Sequence, residues 1–214
     1  MKKHLSLIVA LFLITGCTIP YHEVMQEYEN TPMCCSAYRH FTYEPIGLPE
    51  LKAFNLDKTS DMFSFETGRS YFKAFKLPQF AGTYRIEITS YALGNHEKNA
   101  YIFAPQVMFL DSAFNITRIV SSDNFTYVEP YEGALWLSIA LRGTIQVAKD
   151  NAGDVYMIIY TTEQDLAKKM KYKTPATLPI PVAGTMLLIP LGKRDVYIPY
   201  SPVGRIRVKT TIPK

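Results

Sequence analysis

The sequence predicts a mainly β protein: an antiparallel β-sandwich, jelly-roll-like, with one short helix and an extended proline-rich C-terminal arm that ends in a strand. Three observations predict it. Apolar residues recur with period two along most of the chain after residue 61. The apolar runs are about four to eight residues long, rich in Val, Ile, Tyr, Phe and Thr, and separated by turn residues. Only one segment, TTEQDLAKKMK at 161–171, carries clear helical signals: a threonine cap, acids in the first turn and lysines in the last.

In order along the chain, DMFSFET puts Phe63 and Phe65 on one face. SYFKAFKLP puts Tyr71, Phe75 and Leu77 with Lys73 on one face, and Phe72 and Ala74 on the other. TYRIEITSY alternates cleanly, with Tyr84, Ile86 and Ile88 inward and Arg85 and Glu87 outward. NAYIFAPQVMFLD is an apolar run interrupted by Pro105, which cannot donate to a ladder and marks an edge or a bulge. AFNITRIVS alternates through Phe114, Ile116 and Ile119 with a slip of register, and GALWLSIALRG is apolar on both faces, as a sandwich-core strand is. GTIQVAK and DVYMIIYTT are joined by DNAGD, a turn sequence.

After the satellite helix at 161–171 come Pro175, Pro179 and Pro181. Residues 174–204 read as an arm over the body and 204–212 as a final strand, in which Ile206 and Val208 alternate with Arg205, Arg207 and Lys209. The expected organisation is a signal peptide over 1–16, a lipidated N-terminus and tether over 17–33, a β-sandwich domain over 34–173, and the arm with its final strand over 174–214.

The N-terminus is a targeting signal. Lys2 and Lys3 form a positive start, and Leu5 to Ile14 is apolar except for Ser6. That run is about half of the roughly 20 residues a bilayer-spanning helix needs. ITGC at 14–17 resembles a bacterial lipoprotein box. The resemblance implies cleavage before Cys17, diacylglycerol on its sulfur and an acyl chain, commonly palmitate, on its new amino group. Thr18 follows where an aspartate retains enteric lipoproteins at the inner membrane, so the resemblance implies the outer membrane, facing the periplasm. One acyl chain holds only reversibly, and three hold firmly, since each buried methylene contributes about 0.8 kcal/mol.

Composition excludes other partners. The full chain carries a net charge of +4; without the two lysines of the signal it is +2, from 21 basic and 19 acidic residues. No basic run exceeds AKKMKYK at 167–173, so nucleic acid is not an expected partner. No stretch after residue 17 is long and apolar enough to form a spanning helix. The membrane is therefore expected as a partner only through the N-terminal lipid.

The chain has no G-x-S-x-G, no H-E-x-x-H and no P-loop. His22, His40 and His96 stand apart from cysteines and carboxylates at ligand spacing, so neither a metal site nor a cofactor is expected. NIT at 115–117 and NFT at 124–126 are incidental in a bacterial lipoprotein. Sugar sites stack flat aromatic rings on pyranose faces, and DNFTYVEPYEGALW offers Tyr127, Tyr131 and Trp136 near Asp123 and Glu129. The competing reading places Trp136 in the core and both tyrosines at the sandwich rim. With Cys17 consumed by lipid, the adjacent Cys34 and Cys35 are the remaining thiols in an oxidising compartment. They form a vicinal disulfide, two buried thiols or an intermolecular bridge, and they mark where the folded domain begins.

Several segments together resemble the maltose operon periplasmic protein family. They are CCSAYRHFTYEPI at 34–46, FSFETGRSYFKAFKLP at 63–78, YIFAPQVMFLD at 101–111, DVYMIIYTT at 154–162 and IPYSPVGRIRV at 198–208. The resemblance implies an envelope protein associated with uptake of maltose and maltodextrins, and it transfers no catalytic residue. The expected function is a non-enzymatic lipoprotein accessory to carbohydrate uptake that binds a sugar or a transport component. The alternative is a structural or interaction lipoprotein of the envelope that docks a partner protein; a hydrolase with a dispersed site is a third, weaker reading.

Overall fold

The structure, a computed structural model, describes residues 19–94, 97–128, 139–182 and 184–213. The described elements run α1 (Tyr21–Asn30), β1 (Tyr43–Pro45), β2 (Glu50–Leu56), β3 (Met62–Phe65), β4 (Gly68–Tyr71), β5 (Lys73–Lys76) and β6 (Tyr84–Tyr91). Then come β7 (Ile102–Phe103), β8 (Gln106–Leu110), β9 (Ile116–Val120), β10 (Thr126–Val128), β11 (Ala140–Val147) and β12 (Tyr156–Tyr160). The chain closes with α2 (Glu163–Leu166), β13 (Lys169–Val182), β14 (Thr185–Ser201) and β15 (Gly204–Thr211).

Two five-stranded sheets dominate, in the orders β1-β5-β12-β8-β9 and β10-β11-β6-β15-β2. Every pairing in the second is antiparallel; in the first, only β1 with β5 is parallel. The chain is mainly β, as its alternation predicts. In β6, Tyr84, Ile86 and Ile88 are buried, Arg85 is exposed and Glu87 is half-buried. The inner faces of the two sheets share one core, with Phe75, Val107, Phe109, Met157 and Ile159 from one and Ile86, Ile88, Ile145, Ile206 and Val208 from the other. The DNAGD turn lies between β11 and β12, so it carries the chain from one sheet to the other rather than closing a hairpin. Pro105 stands between β7 and β8, where no ladder bond is needed.

The central strands of the first sheet are buried on both faces. Its outer face, through Phe72, Ala74, Met108, Leu110, Ile158 and Tyr160, packs with Phe41 and Phe65 in a second cluster. The β3–β4 hairpin and residues 38–43 supply the aromatic cover: the rings of Phe41 and Phe72 stack at 4.0 Å and those of Phe65 and Tyr160 at 4.2 Å. Two-sided burial therefore belongs to β8 and β12. Of GALWLSIALRG, the described part shows buried Ile139, Ala140 and Leu141, with Arg142 half-buried.

Three expectations change. Residues 21–30 of the expected tether form α1, which buries Val24 and Tyr28 against the main core. The helix at 161–171 shortens to the single turn α2. Thr162 caps it, its side chain accepting from the Asp165 N–H at 3.0 Å. Asp165, buried, also accepts from Ser122 Oγ at 2.9 Å, Thr162 Oγ1 at 2.9 Å and Lys168 Nζ at 3.0 Å, and pins the turn in place. The next residues then leave as a strand, whose Met170 and Tyr172 are buried in the main core. Finally, the proline-rich stretch, expected as an extended arm over the body, is a hairpin. β13 and β14 pair along their lengths as an antiparallel hairpin, and β15 inserts between β6 and β2, in the interior of its sheet. Ile206, Val208 and Thr210 face the core from there, so the last strand is structural to the sandwich and not the end of an appendage.

Candidate functional site

Of the residues singled out in the sequence, the described ones lie apart: Tyr127 is on β10, and Cys34 and Cys35 are beside β3. Cys17 lies outside the described residues, as do Tyr131 and Trp136 of the expected aromatic platform. Tyr127 sits on the edge strand β10, half-buried against the core, with its ring 5.3 Å from that of Tyr172 at the root of the hairpin. This gives Tyr127 a packing role. Cys34 and Cys35 are joined by a disulfide, their Cα atoms 3.7 Å apart. The Cys34 N–H donates to the Met62 carbonyl at 2.8 Å, and Cys35 packs on the outer aromatic cluster. The pair thus fastens the start of the outer cover to β3. His40 meets Ser36 Oγ at 3.2 Å and Arg39 Nε at 3.3 Å, and among the described residues no group of three or more His, Cys, Asp or Glu side chains is placed to hold a metal ion.

A cleft forms between α1 and the end of the second sheet. It encloses about 230 Å³. Val24, Leu56 and Tyr101, all buried, form its apolar floor. Asn55, Asp57, Lys58 and Glu27 form its polar rim. The rim is set by local bonds: Asp57 Oδ1 accepts from the Thr59 N–H at 2.9 Å and the Thr59 hydroxyl at 2.6 Å, and the Asp57 N–H donates to Ser60 Oγ at 3.1 Å. Lys58 Nζ donates to Glu27 Oε1 at 3.0 Å across the cleft, and this bond raises the Lys58 pKa. Tyr101 donates to the Ile19 carbonyl at 3.2 Å, and burial raises its phenol pKa.

Helix α1 is what makes this cleft, and its sequence carried a legible signal. Tyr21, Val24, Met25 and Tyr28 recur at i, i+3, i+4 and i+7 after Pro20, the pattern of an amphipathic helix. The helix is held at both ends. The Tyr21 hydroxyl donates to the Tyr200 carbonyl at 2.9 Å, and Arg69 Nη1 donates to the Glu29 carbonyl at 2.9 Å. Chemically, the cleft offers carboxylates, an ammonium and an amide above an apolar floor, a set that suits a hydroxyl-rich ligand. At about 230 Å³ it is smaller than the roughly 300–1,000 Å³ of pockets for drug-sized ligands. Among the described residues, its lining holds no histidine and no cysteine.

Comparison with known proteins adds the following. No solved structure matches the chain. The maltose operon periplasmic protein of Salmonella typhimurium (strain LT2) is 26% identical over 192 residues, covering 82% of this chain and 58% of that protein. Its namesake in Escherichia coli (strain K12) is 25% identical over 191 residues with the same coverage. The chain thus spans a little under three fifths of the length of these relatives. The family model described as maltose operon periplasmic protein precursor (MalM) matches residues 67–210, from β4 to the end of β15 apart from its final residue. On that match, the chain belongs to the MalM family.

Proposed function

We propose that this protein is a non-enzymatic lipoprotein of the cell envelope, held at the outer membrane through Cys17 and facing the periplasm. It serves maltose or maltodextrin uptake by binding a sugar, or a component of the transport machinery that handles it. Membership of the MalM family carries this reading, since the family's description names both the maltose operon and the periplasm. The sugar-binding part draws support from the cleft under α1: hydrogen-bonding groups at the rim, a buried tyrosine in the floor, and room for a short ligand segment such as a single sugar residue. On this reading α1, which follows the lipidated cysteine closely, doubles as one wall of the binding site.

Titration calorimetry of the purified protein with maltose, maltotriose and longer maltodextrins tests the sugar arm. Binding heat is expected for the wild type and not for Asn55→Leu combined with Asp57→Leu. No heat at millimolar sugar removes direct sugar binding, and crosslinking in cells that captures a sugar porin or transporter then assigns the transport-component arm. Metabolic labelling with palmitate tests the anchor: label is expected on the wild type and absent from Cys17→Ala.

A further inference from the structure

The β13–β14 hairpin is the most unusual surface of the molecule. From Thr174 to Gly192 it contains no charged residue. Its large side chains stand in solvent: Leu187 is 54% exposed, Leu188 60%, Met186 61% and Leu191 62%. Both faces are apolar. Register puts Leu188 and Met186 on one face with Pro179 and Pro181, and Leu178, Ile180, Val182, Leu187 and Ile189 on the other. A protein partner lying against one side would cover only half of this surface, whereas an isotropic apolar medium covers all of it.

The prolines discriminate further. In an antiparallel ladder, opposed pairs alternate between hydrogen-bonded and non-hydrogen-bonded types. Pro175 opposite Lys193, Pro190 opposite Thr177, Pro179 opposite Leu188 and Pro181 opposite Met186 have no N–H to give the ladder, which suits the second type, whose N–H groups point away from the partner strand. Of those eight residues four are proline, so half of the outward donors are missing. That removes backbone groups that are costly in hydrocarbon, and it also blocks the edges against addition of another strand. At the hairpin's root the chemistry inverts. Lys169, Lys171, Lys173, Lys193 and Arg194 are all exposed, and Asp195, which Lys171 holds at 2.7 Å, is the one acid interspersed with them. Exposed Tyr197 lies at the same level, with Lys171 Nζ 5.8 Å from its ring centroid. An apolar tip followed by a basic collar with an exposed tyrosine within it is the order of a lipid interface from acyl chains to headgroups.

We propose that this hairpin is a membrane-inserting element: its tip enters the acyl region of a bilayer leaflet while the basic collar rests on anionic headgroups. A two-stranded ribbon keeps open edges and therefore does not span the bilayer; it dips in, as interfacial elements do, by roughly 5–10 Å. The inference depends neither on a lipid at Cys17 nor on sugar binding.

The test places a tryptophan at the tip of the full mature protein (L187W), with the native Trp136 replaced (W136F), and mixes it with phosphatidylcholine–phosphatidylglycerol vesicles carrying brominated acyl chains. Bromine quenches only a ring that enters the acyl region. The expected result is a blue shift and quenching by roughly twofold or more, abolished by adding M186D and L188D, and several-fold weaker binding when phosphatidylglycerol is omitted. A control tryptophan on exposed Leu51 of β2 (L51W) reads proximity arising from the N-terminal anchor. Equal quenching of L51W and L187W, or none of L187W, overturns the proposal. So does a dimer in sedimentation velocity without vesicles that M186D/L188D converts to monomer, because the tip would then be the seat of a second copy.

Discussion

Arg69 and Tyr28 clasp each other in both directions. The Tyr28 hydroxyl donates to the Arg69 backbone carbonyl, and the Arg69 guanidinium lies 5.5 Å from the Tyr28 ring centroid. The same guanidinium donates to the Glu29 and Thr31 carbonyls at the C-terminal end of α1, where the helix leaves carbonyls unpaired. One arginine on β4 therefore holds the helix that walls the cleft.

Arg69→Ala is expected to release that helix while the sandwich stays folded. Hydrogen bonds to charged groups contribute about 1.5–3 kcal/mol each, so local opening of residues 21–30 becomes easier by at least that amount. Hydrogen exchange checks it: amides of α1 lose protection in the variant and those of β6 and β15 do not. Sugar binding, where it depends on the cleft, falls in parallel.

Asp154, buried at the end of the inter-sheet turn, accepts from Arg118 Nε at 2.9 Å and from Thr117 Oγ1 at 2.6 Å, and Arg118 stacks 4.1 Å over Phe109. Removing Asp154 strands Arg118, but that side chain is partly exposed, so the cost falls below the about 3–5 kcal/mol of a fully buried pair. Asp154→Ala is expected to lower stability by less than that in urea denaturation with an unchanged m value, and Asp154→Asn by less still, because it keeps a hydrogen-bonding side chain.

The Cys34–Cys35 bond closes the smallest loop a disulfide can. Chain entropy then contributes less than the about 3 kcal/mol expected of a 15-residue loop. Denatured, unreduced protein should show no free thiol from this pair and should run as a monomer; reduction should release two thiols per chain. Cys34→Ser with Cys35→Ser should leave the urea midpoint nearly unmoved. Finding two free thiols before reduction would refute the bond.

Alkaline stability follows from the tyrosines. Burial raises Tyr160 to about 12, and burial followed by the charge of Asp154 raises Tyr84 to about 12; Tyr28 and Tyr43 are also raised, chiefly by burial. Each folded pKa lies above the unfolded value near 10.0, so the folded state favours the neutral phenol. Their contribution to stability is complete below pH 10 and is lost as pH rises to about 12. Tyrosinate absorbance and circular dichroism followed together should show a cooperative transition in that window, with no gradual ionisation of these rings beforehand.

Local pattern carried much of this fold. The alternation in β6 and β15 specifies which residues face the core, because a strand with one wet face has a single register that keeps its isoleucines and valines dry. Cys34 and Cys35 do not mark where the folded body begins, because α1 ahead of them already packs on the main core; they stand where the outer cover begins. Helix α1 was within reach through its i, i+3, i+4, i+7 spacing, yet its ten residues contain only four that pack inward, and a helix that short depends on docking for its stability.

The sequence by itself determined that the chain is mainly β and which side chains of its clear strands turn inward. Only the tertiary structure decided which strands are neighbours: that β15 closes the sheet between β6 and β2, that the proline-rich stretch doubles back as a hairpin, and that Asn55, Asp57, Val24 and Tyr101 meet around one cleft. The reason is physical. Which face of a strand is apolar is a property of adjacent residues, whereas the partner of a strand is chosen by contacts between residues far apart in the chain, and single side chains carry no label for that choice.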